Sequence, residues 1–258
     1  MSMKNIYFIS DAHLGSLALE HRRTQERRLV NFLDAIKDKA EAVYMLGDMF
    51  DFWFEYKAVV PKGYTRFLGK ISELTDRGVE VHFFVGNHDQ WVGDYLHEEC
   101  GAVIHRQPVT CELHGKLFYL AHGHRLDDRD KNWKTKLLFG MFESKILLRL
   151  AKMIHPGFFV PFGRNWAKRS RLKRKDGKEE PYRGEGKEGL VKYAGKYLED
   201  HPGINFFLFG HRHIQLDEKV ATDCRVIILG EWISLFTYAV FDGGHLFLSN
   251  FIEGETQL

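Results

Sequence analysis

An α/β fold with its site along one sheet edge is predicted by three features of the sequence. Short apolar runs alternate with helix-length amphipathic stretches from the start to about Leu120, the texture of βαβ units. Five apolar runs end in residues with metal-ligand side chains: SDAH after KNIYFI, GD after AVYML, GNHD after VEVHFFV, HGH after KLFYLA and GHRH after INFFLF. Open α/β sheets bind ligands outside the carboxyl ends of their strands, where these residues would fall. The third feature is size: 258 residues at 44% hydrophobic content can bury one large core, read here as a single domain over 1–258.

The elements follow in order. After the first strand, RRTQERRLVNFLDAIKDKA repeats Leu29, Phe32, Leu33 and Ile36 at helical spacing, a face for packing on a sheet. YTRFLGKISELTDRG forms a second helix, with Gly78 where a helix end needs a left-handed residue. From Arg125 to Tyr193 strand signals stop, and the helix-like NWKTKLLFGMFESKILLRLAKMI precedes a Pro- and Gly-marked turn and a basic run, so 125–193 reads as a helical insertion. Strand patterning resumes with INFFLFGHRH, CRVIILGEW and FTYAVFDGGHLFLSNFIEG, where DGG marks a hairpin.

Composition excludes several classes. A net charge of +2 argues for no nucleic-acid partner. Cys100, Cys111 and Cys224 are scattered without CxxC spacing, which argues against disulfides and thiolate zinc and for a reducing, cytoplasmic setting. KNIYFISDAHLG at the start has no secretory pattern, and no apolar stretch is long enough to span a bilayer.

Asp11, His13, Asp48, Asn87, His122, His211 and His213 are the candidate ligands, enough for two divalent ions. Asp11-x-His13 and His211-x-His213 each place two side chains on the same side of an extended segment. Asp48 is a carboxylate able to bridge two cations. Asn87 adds an amide oxygen and His122 an imidazole, a mixture suited to Mn2+, Fe2+ or Zn2+ rather than Ca2+ or Mg2+. His82, His97, His105, His114 and His245 lack such context and are read as structural.

The ordered set Asp11-x-His13, Gly47-Asp48, Gly86-Asn87-His88-Asp89, His122 and Gly210-His211-x-His213 resembles the signature of the calcineurin-like metallophosphoesterases over nearly the whole chain. The resemblance implies a four-layer α/β/β/α sandwich with both ions at the C-terminal rim of the sheet. It implies Asp11, His13, Asp48 and His213 around one ion, and Asp48, Asn87, His122 and His211 around the other, with Mn2+ the expected metal. His88 would give a hydrogen bond or proton to the phosphoryl or leaving-group oxygen, and Asp89 would orient its ring.

The length, the His122–Asp130 continuation, the insertion and LGEW at Leu229–Trp232 resemble the pyrophosphatases that cleave UDP-2,3-diacylglucosamine in lipid A biosynthesis. The implied substrate is a UDP-linked diacyl amino-sugar lipid, its acyl chains under a helical cap. Asn87, His88, Asp130, Arg164, Asn165, Lys168 and Arg171 are the expected substrate contacts. His88 is a departure, since the best-known pyrophosphatases of this kind carry Arg there. The insertion itself fits an amphiphile: LLFGMFESKILLRLAKMIHPGFFVPF is greasy, and RNWAKRSRLKRK holds seven basic residues and no acidic one. The same features fit peripheral attachment to the cytoplasmic face of the inner membrane. No protein partner is expected. A phosphodiesterase acting on another nucleotide or phospholipid is the alternative, followed by a non-catalytic scaffold or a nuclease.

Overall fold

Strand β1 (Asn5–Ile9) turns Ile6 and Phe8 to one face and Tyr7 and Ile9 to the other, and all four are buried. A strand apolar on both faces must be covered on both, and the layers follow from that requirement. The computed structural model describes residues 4–19, 21–128, 133–173 and 181–252. In the first sheet β1 pairs in parallel with β2 (Ala40–Met45), β2 with β3 (Glu80–Phe84) and β3 with β4 (Val103–His105). The second sheet runs β5 (Val109–Leu113), β6 (Lys116–Ala121), β7 (Phe206–Phe209), β9 (Cys224–Leu229) and β8 (Gln215–Ala221), with β6, β7 and β9 parallel. A final hairpin, β10 (Thr237–Phe241) and β11 (Leu246–Asn250), completes the first sheet antiparallel to β1 and turns over Asp242–Gly244 as the DGG pattern predicts.

The two sheets face each other through Phe8, Tyr44, Phe118, Phe206 and Phe241, with the Phe8 and Phe118 rings stacked 5.7 Å apart. On the outer face of the first sheet, α1 (Arg22–Ile36) buries the predicted stripe of Leu29, Phe32, Leu33 and Ile36, and α2 (Thr65–Asp76) buries Phe67, Ile71 and Leu74. Gly78 closes α2 at a φ of 81°. The short α3 (Tyr95–Glu98) leads into β4. The outer face of the second sheet lies under α7 (Gly189–Asp200) through Leu190, Val191 and Ala194. The layers are therefore α/β/β/α.

Between β6 and β7 run α4 (Trp133–Glu143), α5 (Lys145–Met153) and α6 (Pro156–Lys173), which leave large apolar side chains in solvent: Met153 is 82% exposed, Phe158 76% and Ile146 70%. Helix α7 also begins inside the 125–193 stretch, but it is a layer of the sandwich. Among the described residues no helix is long and apolar enough to cross a membrane. β1, β2 and β3 of one sheet and β6 and β7 of the other each end within one residue of one of the five motifs.

Candidate metal centre

The backbone at these strand ends is unusual. Asp11, His13, Asp48, His211 and His213 all have positive φ, between 44° and 68°. Each such residue costs about 1 kcal/mol or more, because Cβ crowds the carbonyl, and such strain persists where the surroundings enforce it. Asp11-x-His13 and His211-x-His213 are thus tight left-handed turns where extended segments were expected. The tighter curl brings Asp11 and His13 together, but it turns His213 toward them and His211 toward His122, so the second pair does not share one point as the alternation had suggested.

Around one point stand Asp11, His13 and His213. The Nε2 atoms of His13 and His213 are 3.0 Å apart, and Asp11 Oδ1 lies 3.1 Å from His213 Nε2 and 3.7 Å from His13 Nε2. The second oxygen of Asp11 accepts from the His211 backbone N–H at 2.9 Å and the Ser10 hydroxyl at 2.5 Å, which leaves Oδ1 for the cluster. Around a neighbouring point stand His122, Asn87 and Asp48. His122 Nδ1 sits 2.7 Å from the Leu46 carbonyl, which can only accept, so Nδ1 carries hydrogen and the neutral ring aims an Nε2 lone pair inward. That lone pair meets Asn87 Oδ1 at 3.2 Å and Asp48 Oδ2 at 3.4 Å.

Three inward-facing acceptors need a cation among them. Burial disfavours a charged His122, yet the Asp48 carboxylate outweighs it and pushes the ring up to about 10, a measure of how strongly this point favours positive charge. Burial likewise works against charge on Asp11 and Asp48, and the surrounding imidazoles reverse it, holding both below the usual carboxylate range. Asp48 Oδ2 is common to the two groups, 3.4 Å from His122 Nε2 and 3.8 Å from His13 Nε2, while its Oδ1 accepts from the His88 amide at 2.8 Å. The donor set fits two borderline divalent ions. Space for this convergence comes from glycine: a Cβ on Gly47 would lie 2.6 Å from His122 Nδ1, and one on Gly86 would collide with Asp48.

His88 and Asp89 separate. The His88 Nδ1 rests on the Asp51 carbonyl at 2.9 Å, so Nε2 is the ring nitrogen left for a ligand, and burial holds the imidazole down at about 4. Asp89, expected to orient that ring, instead accepts the backbone amides of Gly86 at 2.7 Å, Met49 at 2.8 Å and Phe50 at 3.3 Å. Fully buried, its carboxylate is better satisfied by three amides than by one imidazole, and it ties the GNHD loop to the GD loop.

His211 lies beside His122, ring centroids 5.2 Å apart. Arg171 reaches in from α6 to Asp51 Oδ1 at 3.0 Å, and Arg164, from the same helix, donates to the Gly15 carbonyl at 3.0 Å. Asn165 is exposed and bonds to Pro161 O within its own helix, Lys168 is half-buried on α6, and Asp130 lies outside the described residues. The histidines read as structural bond elsewhere: His82 to His105 at 2.9 Å, His97 to the Ala102 carbonyl and His114 to Glu41. Sequence reasoning missed Asp51, which groups with His13 and His88, and His124, whose ring is 5.3 Å from that of His122. Their signals were present: Asp51 stands three residues after Asp48, and His124 is the second histidine of HGH.

The model of the Calcineurin-like phosphoesterase family matches residues 4–215. The chain belongs to this family. As a calcineurin-like phosphoesterase with a converged ligand set, it is a metal-dependent hydrolase. It is 42% identical to a UDP-2,3-diacylglucosamine hydrolase of Porphyromonas gingivalis over 97% of this chain and 98% of that one. A UDP-2,3-diacylglucosamine hydrolase of Pasteurella multocida is 26% identical over 89% of this chain and 91% of its own length. Among solved structures, a dimetal phosphatase from Danio rerio aligns over 93% of both chains at 14% identity, with a TM-score of 0.45.

Proposed function

We propose that this phosphoesterase hydrolyses the pyrophosphate of UDP-2,3-diacylglucosamine, releasing UMP and 2,3-diacylglucosamine 1-phosphate. The observation that carries the substrate is the 42% identity, over nearly both full lengths, to a hydrolase of that name. An apolar cavity of about 300 Å³ agrees with it, lined by Phe52, Phe54 and Trp91 of the core and by Phe159, Phe162 and Trp166 of α6. Acyl chains belong in such a space.

Asp11, His13, Asp48 and His213 would hold one ion, and Asp48, Asn87, His122 and His211 the other; the mixture suits Mn2+, Fe2+ or Zn2+, and the family resemblance implies Mn2+. Such a pair of ions, when bound, neutralises phosphoryl oxygens and acidifies water for in-line attack. The side chains do the rest. His88 Nε2 faces the substrate and exchanges a hydrogen bond or a proton with the phosphoryl or leaving-group oxygen, while its Nδ1 stays on Asp51. Asn87 and Asp89 keep the GNHD loop in register, and Asp130, Asn165, Lys168, Arg164 and Arg171 are the proposed polar contacts of the substrate. Water adds across one P–O bond of the pyrophosphate, and the bridging oxygen leaves with the other phosphate.

The insertion also meets the membrane in this proposal. Ile146, Leu150 and Met153 of α5 are exposed beside Lys145, Arg149 and Lys152, the make-up of an interfacial helix on anionic lipid at the cytoplasmic surface. Detergent-solubilised UDP-2,3-diacylglucosamine supplied with Mn2+ should release UMP. Cleavage of an aryl phosphodiester with no UMP from the lipid substrate would overturn the assignment.

A further inference from the structure

A second cleft, of about 680 Å³, opens beside the metal centre and differs in character from the apolar cavity. Its walls carry five cationic side chains, Arg22 and Arg23 from α1, Lys62 and Arg66 flanking the start of α2, and Arg164 from α6, against one carboxylate, Glu26. Glu26 accepts from the Arg66 amide at 3.2 Å and the Phe67 amide at 3.4 Å and lies 4.0 Å from the Arg66 guanidinium, which balances one of the five cations. Among the described residues no carboxylate pairs with Arg22, Arg23 or Lys62, which stand exposed on the rim. Tyr64 also lines the cleft. The residue is only 8% exposed, and its hydroxyl packs against Gly15. A cleft walled by cations, with a phenol hydroxyl beside Gly15 in its lining, points to a polar ligand that supplies acceptors.

The position of the cleft identifies the ligand. Gly15 is two residues from His13, and Arg164 joins its carbonyl to α6. That same helix lines the apolar cavity with Phe159, Phe162 and Trp166 and touches the centre through Arg171 and Asp51. Cavity, metal centre and cationic cleft are therefore contiguous along α6. An amphiphile whose acyl chains fill the cavity and whose scissile phosphate lies at the metals then has this larger cleft open to its other end, whereas the space beside His122 is only about 220 Å³. We infer that the cleft of Arg22, Lys62, Tyr64, Arg66 and Arg164 binds the nucleoside-phosphate half of the substrate, an inference that rests on the substrate reading above. Its volume suits a nucleotide and exceeds the needs of a lone phosphate.

The test uses the full-length Mn2+-loaded protein, the double variant Arg22→Ala/Lys62→Ala and, separately, Tyr64→Phe. Both should keep the wild-type melting temperature, since the first two side chains are exposed and the third loses one oxygen. Inhibition by UMP should weaken about tenfold in the double variant, and KM for UDP-2,3-diacylglucosamine should rise by a similar factor with kcat within about twofold, the pattern of a lost binding contact. Unchanged UMP inhibition and KM in variants that fold would overturn the inference. So would the loss of binding to phosphatidylglycerol vesicles at undiminished UMP affinity, which would make the cleft a lipid headgroup site. If the wild type releases no UMP from the lipid substrate while the variants still lose UMP affinity, the nucleotide site stands and the substrate reading falls.

Discussion

At the scale of single residues, Asp48 carries the most weight, because one of its oxygens faces both His13 and His122. In the proposed centre, removing it would take a ligand from two ions at once and leave the two imidazole groups facing each other without the charge between them. Asp48→Ala should cut metal affinity by more than about a hundredfold, the upper end of what is lost when a residue that merely orients a ligand is replaced. Turnover should vanish with it. Metal analysis of the purified variant decides, and stoichiometric metal with near-normal turnover would refute the shared role. The proposed ligands were legible in the sequence because each follows an apolar run, a pattern that survives without coordinates. The setting of His88 was not legible, because its ring is held by the Asp51 carbonyl, and a backbone acceptor leaves no mark on residue identity. Nor were the left-handed turns at Asp11, His13, His211 and His213, since the positive φ is imposed by packing on non-glycine residues.

At the scale of elements, helices α6 and α7 fix what surrounds the centre. Gly163 lets α6 approach the core so closely that any Cβ there would strike the Phe52 ring at the wall of the apolar cavity. Gly163→Val should lift α6 and narrow that wall, lowering kcat/KM on the lipid substrate about tenfold or more, as a misplaced positioning element does, with little effect on a small aryl phosphodiester. Equal losses on both substrates, measured side by side, would make α6 a folding element only. Helix α7 acts from the other side. Glu188, immediately before it, takes Arg212 in a buried bidentate pair at 2.8 and 2.9 Å, and Arg212 sits between His211 and His213. Burial pushes the Glu188 carboxyl up, but Arg212 and Arg183 more than offset this and leave it below its usual value. A lowered folded value means stability that is complete above the unfolded pKa of about 4.3 and fades as pH falls through the lower folded value. Glu188→Ala should therefore cost about 3 kcal/mol near neutral pH, by removing the bidentate partner of a buried guanidinium, and should flatten the acid limb of the stability curve. Denaturant melts across pH 3 to 7 would read both, and an unaltered acid limb would remove Glu188 from the account. The alternating pattern made the βαβ texture and the α1 face readable. The role of α7 was hidden because its start, inside the long stretch without strands, has the same helical texture as its cap-like neighbours.

At the scale of the whole molecule, the centre joins the two sheets. Asp11, His13, Asp48 and Asn87 come from the rim of the first sheet, and His122, His211 and His213 from that of the second, so cations bound among them cross-link layers that otherwise meet through apolar side chains. Five strained backbone positions and several inward-facing acceptors oppose that meeting when no metal is present. Binding should therefore appear as folding stability, because the unfolded chain offers no such site. At a metal concentration a hundredfold above Kd the gain is about 2.7 kcal/mol per site. For a domain of this size that corresponds to a rise in melting temperature of about 5–10 °C. Thermal melts of chelator-treated protein titrated with Mn2+ should show the rise, saturating with the metal stoichiometry. Asp48→Ala should show almost none of it, because the atom shared by both ions is gone. A melting temperature indifferent to Mn2+ in the wild type would mean that the two sheets are held at this rim by packing alone.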